Sequence, residues 1–435
     1  MLVIRKNRLA WLALALAALN IGLWRGQTVA MSFQPLLKHY EQKITVAGQV
    51  IDDTIAAGRF QTEFHIAKLQ FFESGQWLPT AGGLQIRGFP KNKLNRGDLV
   101  EVSGKLLPTL GRYQGQINFA EVKIIGKKTS WLESIRRRFF AGVNTALPEP
   151  ESSLGLGFLV GARNLLPDEL TNQLATTGLT HIVAVSGYNL TILVRFTRRW
   201  FGKISKYWAT ASSVALIAGF LAVTGISPSI FRAAIVSGLA LGAWYYGRPL
   251  KPMVLILVAA AVTAGANPTY LWQDIGWYLS FLAFFGVLVI APLIMARIYK
   301  HDKPNSMVQI LLETSAAQIM TLPLIIYIFG KASLVALPAN AIILPIIPLA
   351  MLLTLIAGVG GMWLPALAGC QLWPAHALLS LMTYVISWFS KLPMATTAVK
   401  ITSWQLVVLY VIIGLTVLLL RRAIRAPLKP YSPVE

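Results

Sequence analysis

Three polar side chains lie inside an apolar stretch about one bilayer long, GLTHIVAVSGYNLTILVRFT at residues 178–197; they are His181, Ser186 and Asn189. Hydrocarbon excludes unpaired polar groups, so a membrane helix that keeps them usually lines a pore or a site buried in protein. With about 3.6 residues per turn, His181 and Asn189 share one face and Ser186 lies away from it. The pattern predicts either a polar face along a path for a polar solute or a buried hydrogen bond between His181 and Asn189.

Four further polar residues on predicted membrane helices are candidates for the same path: Arg232, Asp274, Glu313 and Gln318. An ionisable residue inside a membrane is a candidate functional residue by default. Three of them also have a structural alternative. Arg232 can reach lipid headgroups instead of phosphates, Asp274 can stabilise the first turn of its helix, and Glu313 can pair with a cation in a loop. Gln318 shares a helix face with two threonines, a pattern that favours a wet path for a large solute.

The composition indicates an integral membrane protein. Hydrophobic residues make up 55% of the chain, charged residues only 13%, and the mean hydropathy is +0.60, whereas soluble domains average about 25% charged residues. The single cysteine, Cys370, excludes an intramolecular disulfide and a multi-cysteine zinc site. The histidines lack metal-ligand spacing, and the sequence contains no nucleotide-binding or hydrolase motif. We therefore expect no catalytic residues, no metal and no cofactor.

The helices that must position these residues are about ten apolar spans, each long enough or nearly long enough to cross a bilayer. The predicted spans are 9–24, 179–196, 207–225, 229–246, 252–267, 273–298, 307–328, 332–357, 368–390 and 403–420. Loops and ends on one side carry 17 Lys and Arg, and the short loops between spans on the other side carry three, Lys331, Lys391 and Lys400. The positive-inside rule then places both termini in the cytoplasm and residues 25–152 outside.

Two of these spans are irregular. The first, 9–24, is either a cleaved signal peptide or an uncleaved anchor, and Trp24 beside Arg25 favours the anchor because both are typical of a membrane interface. The span 332–357 contains three prolines and an asparagine. Because proline frees backbone carbonyls, this span is predicted to be a broken helix that forms a constriction, or else a simple kink.

Residues 43–126 differ from the rest, with five short runs rich in β-branched and aromatic residues that are separated by turn signals. Five such strands predict a small closed barrel of the OB type, which often binds single-stranded nucleic acid or sugars. Residues 25–152 carry 17 basic and 11 acidic residues, a net charge of +6 that is compatible with a polyanion. The candidate nucleic-acid-binding residues of the barrel are Phe60, Phe64, Arg87, Lys91, Lys93, Arg112, Tyr113 and Phe119.

Between the barrel and the main spans, the basic amphipathic segment 131–147 is predicted to lie on the membrane surface with Arg136, Arg137 and Arg138 at the headgroups. A re-entrant or interfacial helical hairpin follows, with a helix starting after Pro167. The predicted fold is a polytopic α-helical membrane protein with an extracytoplasmic OB-like barrel. Its predicted parts are an anchor (1–27), the barrel (28–130), surface and re-entrant helices (131–178), the membrane domain (179–420) and a basic cytoplasmic tail (421–435).

Four stretches of the chain resemble the ComEC family, the DNA-uptake channel proteins of bacterial competence. They are PDELTNQLATTGLTHIVAVSGYNLTI, VTGISPSIFRAAIVSGLALGAWYYGRPLKP, NPTYLWQDIGWYLSFLAFFGVLV and AAQIMTLPLIIYIFGKASLVALPANAIILPIIPLA. Their order and spacing agree with the family over roughly 165–350, and NRGDLVEVSGKL resembles its OB-like domain. The resemblance implies a DNA path near His181, Ser186, Arg232, Asp274 and Gln318.

The chain departs from the family pattern in two respects. Asn189 stands where many members have a histidine, and the chain stops at Glu435, where many members continue into a metallo-β-lactamase-like domain. We therefore expect the form without that domain. The resemblance implies a channel for single-stranded DNA in the cytoplasmic membrane, with membrane lipid around it, a DNA receptor outside, a cytoplasmic helicase or translocase and a separately encoded nuclease as partners. It leaves room for a homo-oligomer.

Two other functions are compatible with parts of the sequence. A secondary transporter for a small polar solute, with the barrel as a ligand-binding accessory, is the main alternative, although no internal repeat supports it. An intramembrane enzyme using His181 and Ser186 is disfavoured, because a five-residue offset places the two side chains about 140° apart around a helix.

Overall fold

The structure is a computed structural model that describes most of the chain. The described residues are 8–52, 54–56, 61–73, 75–90, 94–109, 113–127, 131–162, 165–183, 190, 194, 197–198, 200–224, 228–248, 252–299, 305–363 and 373–424. By its internal contacts the chain divides into two units: Met1–Trp131 with Ala261–Ile275, and Leu132–Ala260 with Gly276–Glu435.

The first unit contains a helix and a β-barrel. Its elements are α1 (Arg8–Leu37), β1 (Lys43–Val50), the short β2 (Ile55–Ala56), β3 (Thr62–Glu73), β4 (Gln76–Pro90), β5 (Leu99–Leu107) and β6 (Gly115–Gly126). The long strands pair in the order β1-β5-β6-β4-β3, and β3 also pairs with β1, so the sheet closes. The β4–β6 pair is parallel and the others are antiparallel. The closed barrel of five strands that the alternating sequence predicts is confirmed, with β2 as an addition.

Alternation along the strands fills the barrel interior. In β1, for example, every second residue from Ile44 to Val50 is buried, while Thr45, Ala47 and Gln49 are partly exposed. Leu36, in the last turn of α1, is fully buried in the same core. Its burial explains why α1 continues to Leu37 and does not end with the apolar run at Trp24.

The second unit is helical. Its elements are α2 (Trp131–Ala146), α3 (Glu151–Val160), α4 (Asp168–Thr176), a short helix Thr180–Val183, α5 (Lys206–Thr224), α6 (Pro228–Tyr245), α7 (Pro252–Ala266, shared with the first unit), α8 (Ile275–Tyr299, with a π-helical segment Gly286–Ile290), α9 (Ser306–Phe329), β7 (Lys331–Ser333), α10 (Ala336–Ile343), α11 (Ile347–Trp363), α12 (Trp373–Ser390), β8 (Thr396–Ala398) and α13 (Ser403–Ala423). Another short helix, Tyr270–Gln273, belongs to the first unit and precedes α8 in the chain.

Within the described ranges, three helices are long and apolar enough to cross a bilayer: Ile275–Tyr299, Met307–Phe329 and Ser403–Ala423. The pair α10 and α11 would add a fourth if it crosses as one broken span. Several shorter predicted spans also coincide with apolar helices, such as 229–246 with α6 and 252–267 with α7. The count of about ten spans stays a prediction.

The predicted span 332–357 is two helices and not one. After the short strand β7, α10 and α11 are separated by a three-residue break and bent by 53°. Pro345 lies in that break, where its missing N–H interrupts the helical hydrogen bonds. Pro338 and Pro348 lie in the first turns of α10 and α11, where the N–H has no helical partner in any case.

Both α2 and α3 pack into the apolar core of the second unit, and the prediction for Arg136 needs correction. Arg136 is only 6% exposed and does not reach headgroups; it pairs with Glu133 at 3.4 Å, and its guanidinium lies over Phe140. All ten residues of α3 are buried. The re-entrant or interfacial hairpin stays a prediction. The predicted helix after Pro167 is confirmed as α4.

Candidate functional site

Two pairs of exposed aromatic rings lie on the described part of the barrel, Phe72 with Trp77 and Phe89 with Phe119, and the second pair contains the most exposed ring. Phe119 on β6 is 73% exposed and Phe89 on β4 is 47% exposed, and their ring centroids lie 6.4 Å apart. Beside Phe119 the outer surface of β1, β5 and β6 forms an open pocket of about 400 Å³. The pocket is lined by Glu41, Lys43, Ser103, Gly104, Lys105, Asn118, Phe119 and Glu121. Carboxylates, ammonium groups, an amide, a hydroxyl and an aromatic ring therefore converge on one concave surface.

The predicted nucleic-acid-binding residues differ in burial and in the contacts that they make. Phe64 is fully buried in the barrel core, so the prediction that its ring stacks on bases is wrong. Arg87 is partly exposed but forms an ion pair with Glu63 at 2.7 Å. Tyr113 stacks on His65, with ring centroids 4.2 Å apart. Four other candidates lie outside the described residues: Phe60, Lys91, Lys93 and Arg112.

Of this surface the sequence predicted only Phe119; among the residues it missed are Lys43, Phe89, Lys105 and Asn118. The strand alternation contained a signal for Phe89, because it is two residues from the solvent-facing Arg87 and must share its face. The same rule places Phe64 inward, next to Ile66 in β3. The pocket itself had no sequence signal, since it depends on which strands are neighbours.

In the helical unit, Arg232 is buried. It is 1% exposed, and its Nη2 donates hydrogen bonds to Ser229 Oγ at 3.0 Å and to the backbone oxygen of Gly276 at 2.9 Å. A side chain held in this way does not extend to lipid headgroups, so that alternative is wrong. The guanidinium links α6 to the first turn of α8 through a charge-assisted hydrogen bond.

Two other path candidates lie at irregular points of the chain. Asp274 has an extended backbone, with φ −106° and ψ 94°, between the short helix Tyr270–Gln273 and α8. Asp274 therefore precedes α8. The sequence pattern had placed it in the first turn of that helix, so this prediction is wrong. His181 lies in the short helix Thr180–Val183 with an exposed side chain, and its Nδ1 is 3.1 Å from the carbonyl oxygen of Gly178.

The other two polar residues of that stretch, Ser186 and Asn189, lie outside the described residues. The predicted polar face along 179–196 therefore stays a prediction.

On α9 the polar groups are largely satisfied within the helix. Glu313 accepts a hydrogen bond from Gln309 Nε2 at 2.8 Å, and the hydroxyl groups of Thr314 and Thr321 donate to carbonyls of their own helix. Gln318 Oε1 is shielded from solvent and accepts no hydrogen bond from the described residues. Of the predicted face, Gln318 is thus the group left with hydrogen-bonding capacity for a solute.

A buried polar cluster in the second unit was also missed. Glu151, at the start of α3, is 8% exposed and accepts a hydrogen bond at 2.8 Å from the hydroxyl of Ser380 on α12. His376 Nε2 lies 3.4 Å from the same hydroxyl. Glu151 and Ser380 are 229 positions apart in the sequence, so no local spacing of residues predicts this cluster. No group of three or more His, Cys, Asp or Glu with metal-binding geometry occurs among the described residues.

A folded β-barrel in one chain with several long apolar helices defines the class: a membrane protein with a globular β domain. The chain belongs to the Competence protein family, whose model matches residues 158–423. The matched part begins after the barrel and includes all the described helices from α4 to α13. The family resemblance seen in the sequence is therefore confirmed.

Among curated proteins the chain is similar to ComE operon protein 3 of Bacillus subtilis (strain 168), with 25% identity over 262 residues. The similar region is 60% of this chain and 32% of that relative, so the chain matches about a third of the relative's length. No solved structure matches the chain.

Proposed function

We propose that this protein functions in competence and conducts single-stranded DNA across the cytoplasmic membrane during natural transformation. The observation that carries the proposal is the match of the Competence protein family over residues 158–423. This region contains the three helices long enough to cross a bilayer, Ile275–Tyr299, Met307–Phe329 and Ser403–Ala423. A conduit for a charged polymer needs such helices, together with polar groups turned toward the path.

The membrane arrangement is part of the proposal. The chain spans the membrane about ten times, both termini are cytoplasmic, and the barrel is outside. The 17 Lys and Arg of one set of loops and ends, against three in the short loops between spans on the other side, support this orientation. Gln318, with an amide oxygen that has no partner among the described residues, is the described side chain best suited to contact the moving strand.

In this proposal the barrel receives the incoming strand. Its outer surface offers Phe119 and Phe89 for base stacking, which tolerates any sequence because every base has a π-face. Basic side chains on the same domain attract the phosphates, and residues 25–152 have a net charge of +6. Arg87 contributes less than its type implies, because Glu63 already neutralises it.

The proposal assigns the remaining steps to other proteins. The strand is pulled by a cytoplasmic helicase or translocase, and degradation of its complement is left to a separately encoded nuclease. A receptor delivers DNA from outside, and the conduit is assembled from one or more copies of the chain. The chain itself acts as a conduit and not as an enzyme.

The test is a transformation assay in a strain that lacks the gene, complemented with wild type or single variants at equal protein level. We expect loss of transformation in the deletion strain, unchanged growth on all carbon and nitrogen sources, and at least tenfold lower transformation for Gln318→Leu. Ile319→Leu, at an exposed apolar position beside it on α9, is the matched control and retains wild-type transformation. Normal transformation in the deletion strain, with loss of growth on one nutrient, would support a small-solute transporter instead.

A further inference from the structure

Strand β6 contains an extra residue next to the pocket. Against β4, β6 advances three residues, from Ile117 to Ala120, while β4 advances two. Against β5, β6 advances four residues, from Ile117 to Glu121, while β5 advances three. The irregularity includes Asn118 and Phe119. It interrupts the register of β6 with both of its neighbours, β4 and β5. Bulges of this kind are common next to binding and active sites, where they redirect a side chain.

Phe119 has the backbone conformation that this bulge imposes. Its φ of +55° lies in the left-handed region, which is unfavourable for a bulky side chain and persists mainly at functional sites. The ring is also 73% exposed, so it does not repay the strain by packing. Lys68, at the irregularity of β3, has the same backbone conformation with φ +53°, so the conformation belongs to the bulges of this barrel. What distinguishes Phe119 is a large apolar ring left exposed beside the pocket.

The opposite wall of the pocket presents two adjacent positive charges. Lys43 on β1 and Lys105 on β5 are directly opposite in the antiparallel ladder, so their Cβ atoms are about 4.5–5.5 Å apart. Like charges at such positions repel each other, and a phosphate between them would relieve the repulsion. Glu41 and Glu121 on the remaining lining make the pocket neutral overall. A ligand with one anionic group and an uncharged polar ring fits this distribution better than a polyanion that enters whole.

The bulge also leaves an acceptor unsatisfied. Asn118 lines the pocket, and its Oδ1 is shielded from water without a hydrogen bond from any residue that the structure describes. A buried acceptor without a donor costs free energy. A ligand that brings an N–H group recovers this cost when the amide turns toward it. The two carboxylates of the lining are acceptors as well, so the pocket favours a ligand rich in donors.

We propose that this pocket, lined by Phe119, Asn118, Lys43 and Lys105, binds one unstacked nucleotide of the incoming DNA strand. The base stacks on Phe119, its amino group donates to Asn118, and its phosphate lies between the two lysines. The inference rests on the proposed function and adds to it a preference between bases. Cytosine carries an exocyclic amino group where thymine carries a carbonyl oxygen. The pocket therefore prefers cytosine to thymine at nearly equal stacking area.

The test uses the full chain in nanodiscs of zwitterionic lipid, with short fluorescent oligonucleotides of deoxycytidine or thymidine and anisotropy as the readout. We expect the deoxycytidine oligomer to bind about tenfold more tightly than the thymidine oligomer. Asn118→Leu removes this difference while both oligomers still bind. Phe119→Ala weakens both by roughly tenfold, as expected for loss of one stacking contact. Phe72→Ala, at another exposed ring on the barrel, leaves both affinities unchanged.

The possible failures are distinguishable. Equal affinity for the two oligomers, or tight binding that is insensitive to Phe119→Ala, would overturn the pocket and leave DNA conduction standing. Displacement of bound oligonucleotide by a neutral oligosaccharide such as maltohexaose would assign the pocket to sugars. No binding of either oligomer by the wild type would overturn both the pocket and the barrel's part in DNA reception. The transformation assay then decides whether the helical region still conducts DNA.

Discussion

At the scale of single residues, Phe64 and Phe119 show how strand alternation decides the role of a side chain. Phe64 is fully buried on the inner face of β3, whereas Phe119 is 73% exposed on β6. Both were candidates for base stacking, because residue type alone does not distinguish an inner from an outer ring. Only the outer ring remains available to a ligand.

Truncation of these two rings is expected to separate stability from binding. Phe64→Ala should lower the free energy of unfolding of the barrel by about 3–5 kcal/mol, because it leaves a cavity in a packed core. Phe119→Ala should change it by less than about 0.5 kcal/mol, because the ring is exposed and alanine keeps the same backbone conformation. Thermal unfolding of the full chain, followed by near-ultraviolet circular dichroism, measures both. A large stability loss in Phe119→Ala would contradict the assignment of this ring to a ligand.

Tyr40 provides a pH-dependent test of barrel packing. Its hydroxyl donates to the backbone oxygen of Gln114, and burial raises the pKa of Tyr40 above its usual value near 10. Because the pKa is higher in the folded state, the stability that the neutral side chain contributes is present below about pH 10 and lost as the pH rises through the folded-state pKa. We expect Tyr40→Phe to cost about 0.5–1.5 kcal/mol at neutral pH.

The measurement for Tyr40→Phe is the difference in melting temperature from wild type between pH 8 and pH 11. This difference should shrink at the alkaline end, because wild type alone loses the contribution of the neutral phenol. A constant difference across this range would show that Tyr40 ionises equally in both states.

At the scale of elements, α2 shows why an amphipathic pattern is ambiguous. Its basic and apolar faces predict a helix on the membrane surface, yet glycines bring it against α11 in the helical core. A Cβ at Gly142 would lie 2.8 Å from the backbone nitrogen of Met362 and would also collide with the carbonyl of Gly358. Such close backbone approach is typical of helix pairs in membrane proteins. The close packing buries Arg136, which pairs with Glu133 and lies over the ring of Phe140.

A side chain at Gly142 should separate α2 from α11. We expect Gly142→Ala to destabilise the helical unit by about 1–3 kcal/mol through overpacking. The matched control is Gly219→Ala on α5, where nothing lies within 4 Å of the added Cβ; it should be neutral or stabilising by about 0.5–1 kcal/mol. Melting temperatures in detergent measure both variants. Equal behaviour of the two would mean that α2 does not pack closely on α11.

At the scale of the whole molecule, charge and hydropathy define the proposed membrane arrangement. The net charge of +22 is large, but much of it lies in the loops assigned to the cytoplasm. The excess on the barrel region is only +6. Attraction of DNA to the barrel is therefore expected to depend on a few placed side chains and to weaken as salt concentration rises.

Reporter fusions test this arrangement. Alkaline phosphatase, which folds in the oxidising environment outside the cytoplasm, should be active when fused within 127–131, between the barrel and α2, and inactive when fused after Ala423. Green fluorescent protein should give the opposite pattern at the same two points. Active phosphatase after Ala423, with inactive phosphatase within 127–131, would invert the topology. Activity at both points would mean an even number of spans between them and would contradict the proposed arrangement.

The sequence alone determined the features that depend on local pattern. Alternation over short runs is a property of neighbouring residues, and it identified the barrel strands. Long apolar runs identified α9 and α13 to within a few residues of their observed ends, and the four quoted stretches identified the family. The tertiary structure alone decided which faces are buried and which distant residues meet. Burial of Arg232, the contact of Glu151 with Ser380, and the pocket beside Phe119 each join segments that are far apart in the chain. Their geometry follows from strand register and helix packing, which no local pattern contains.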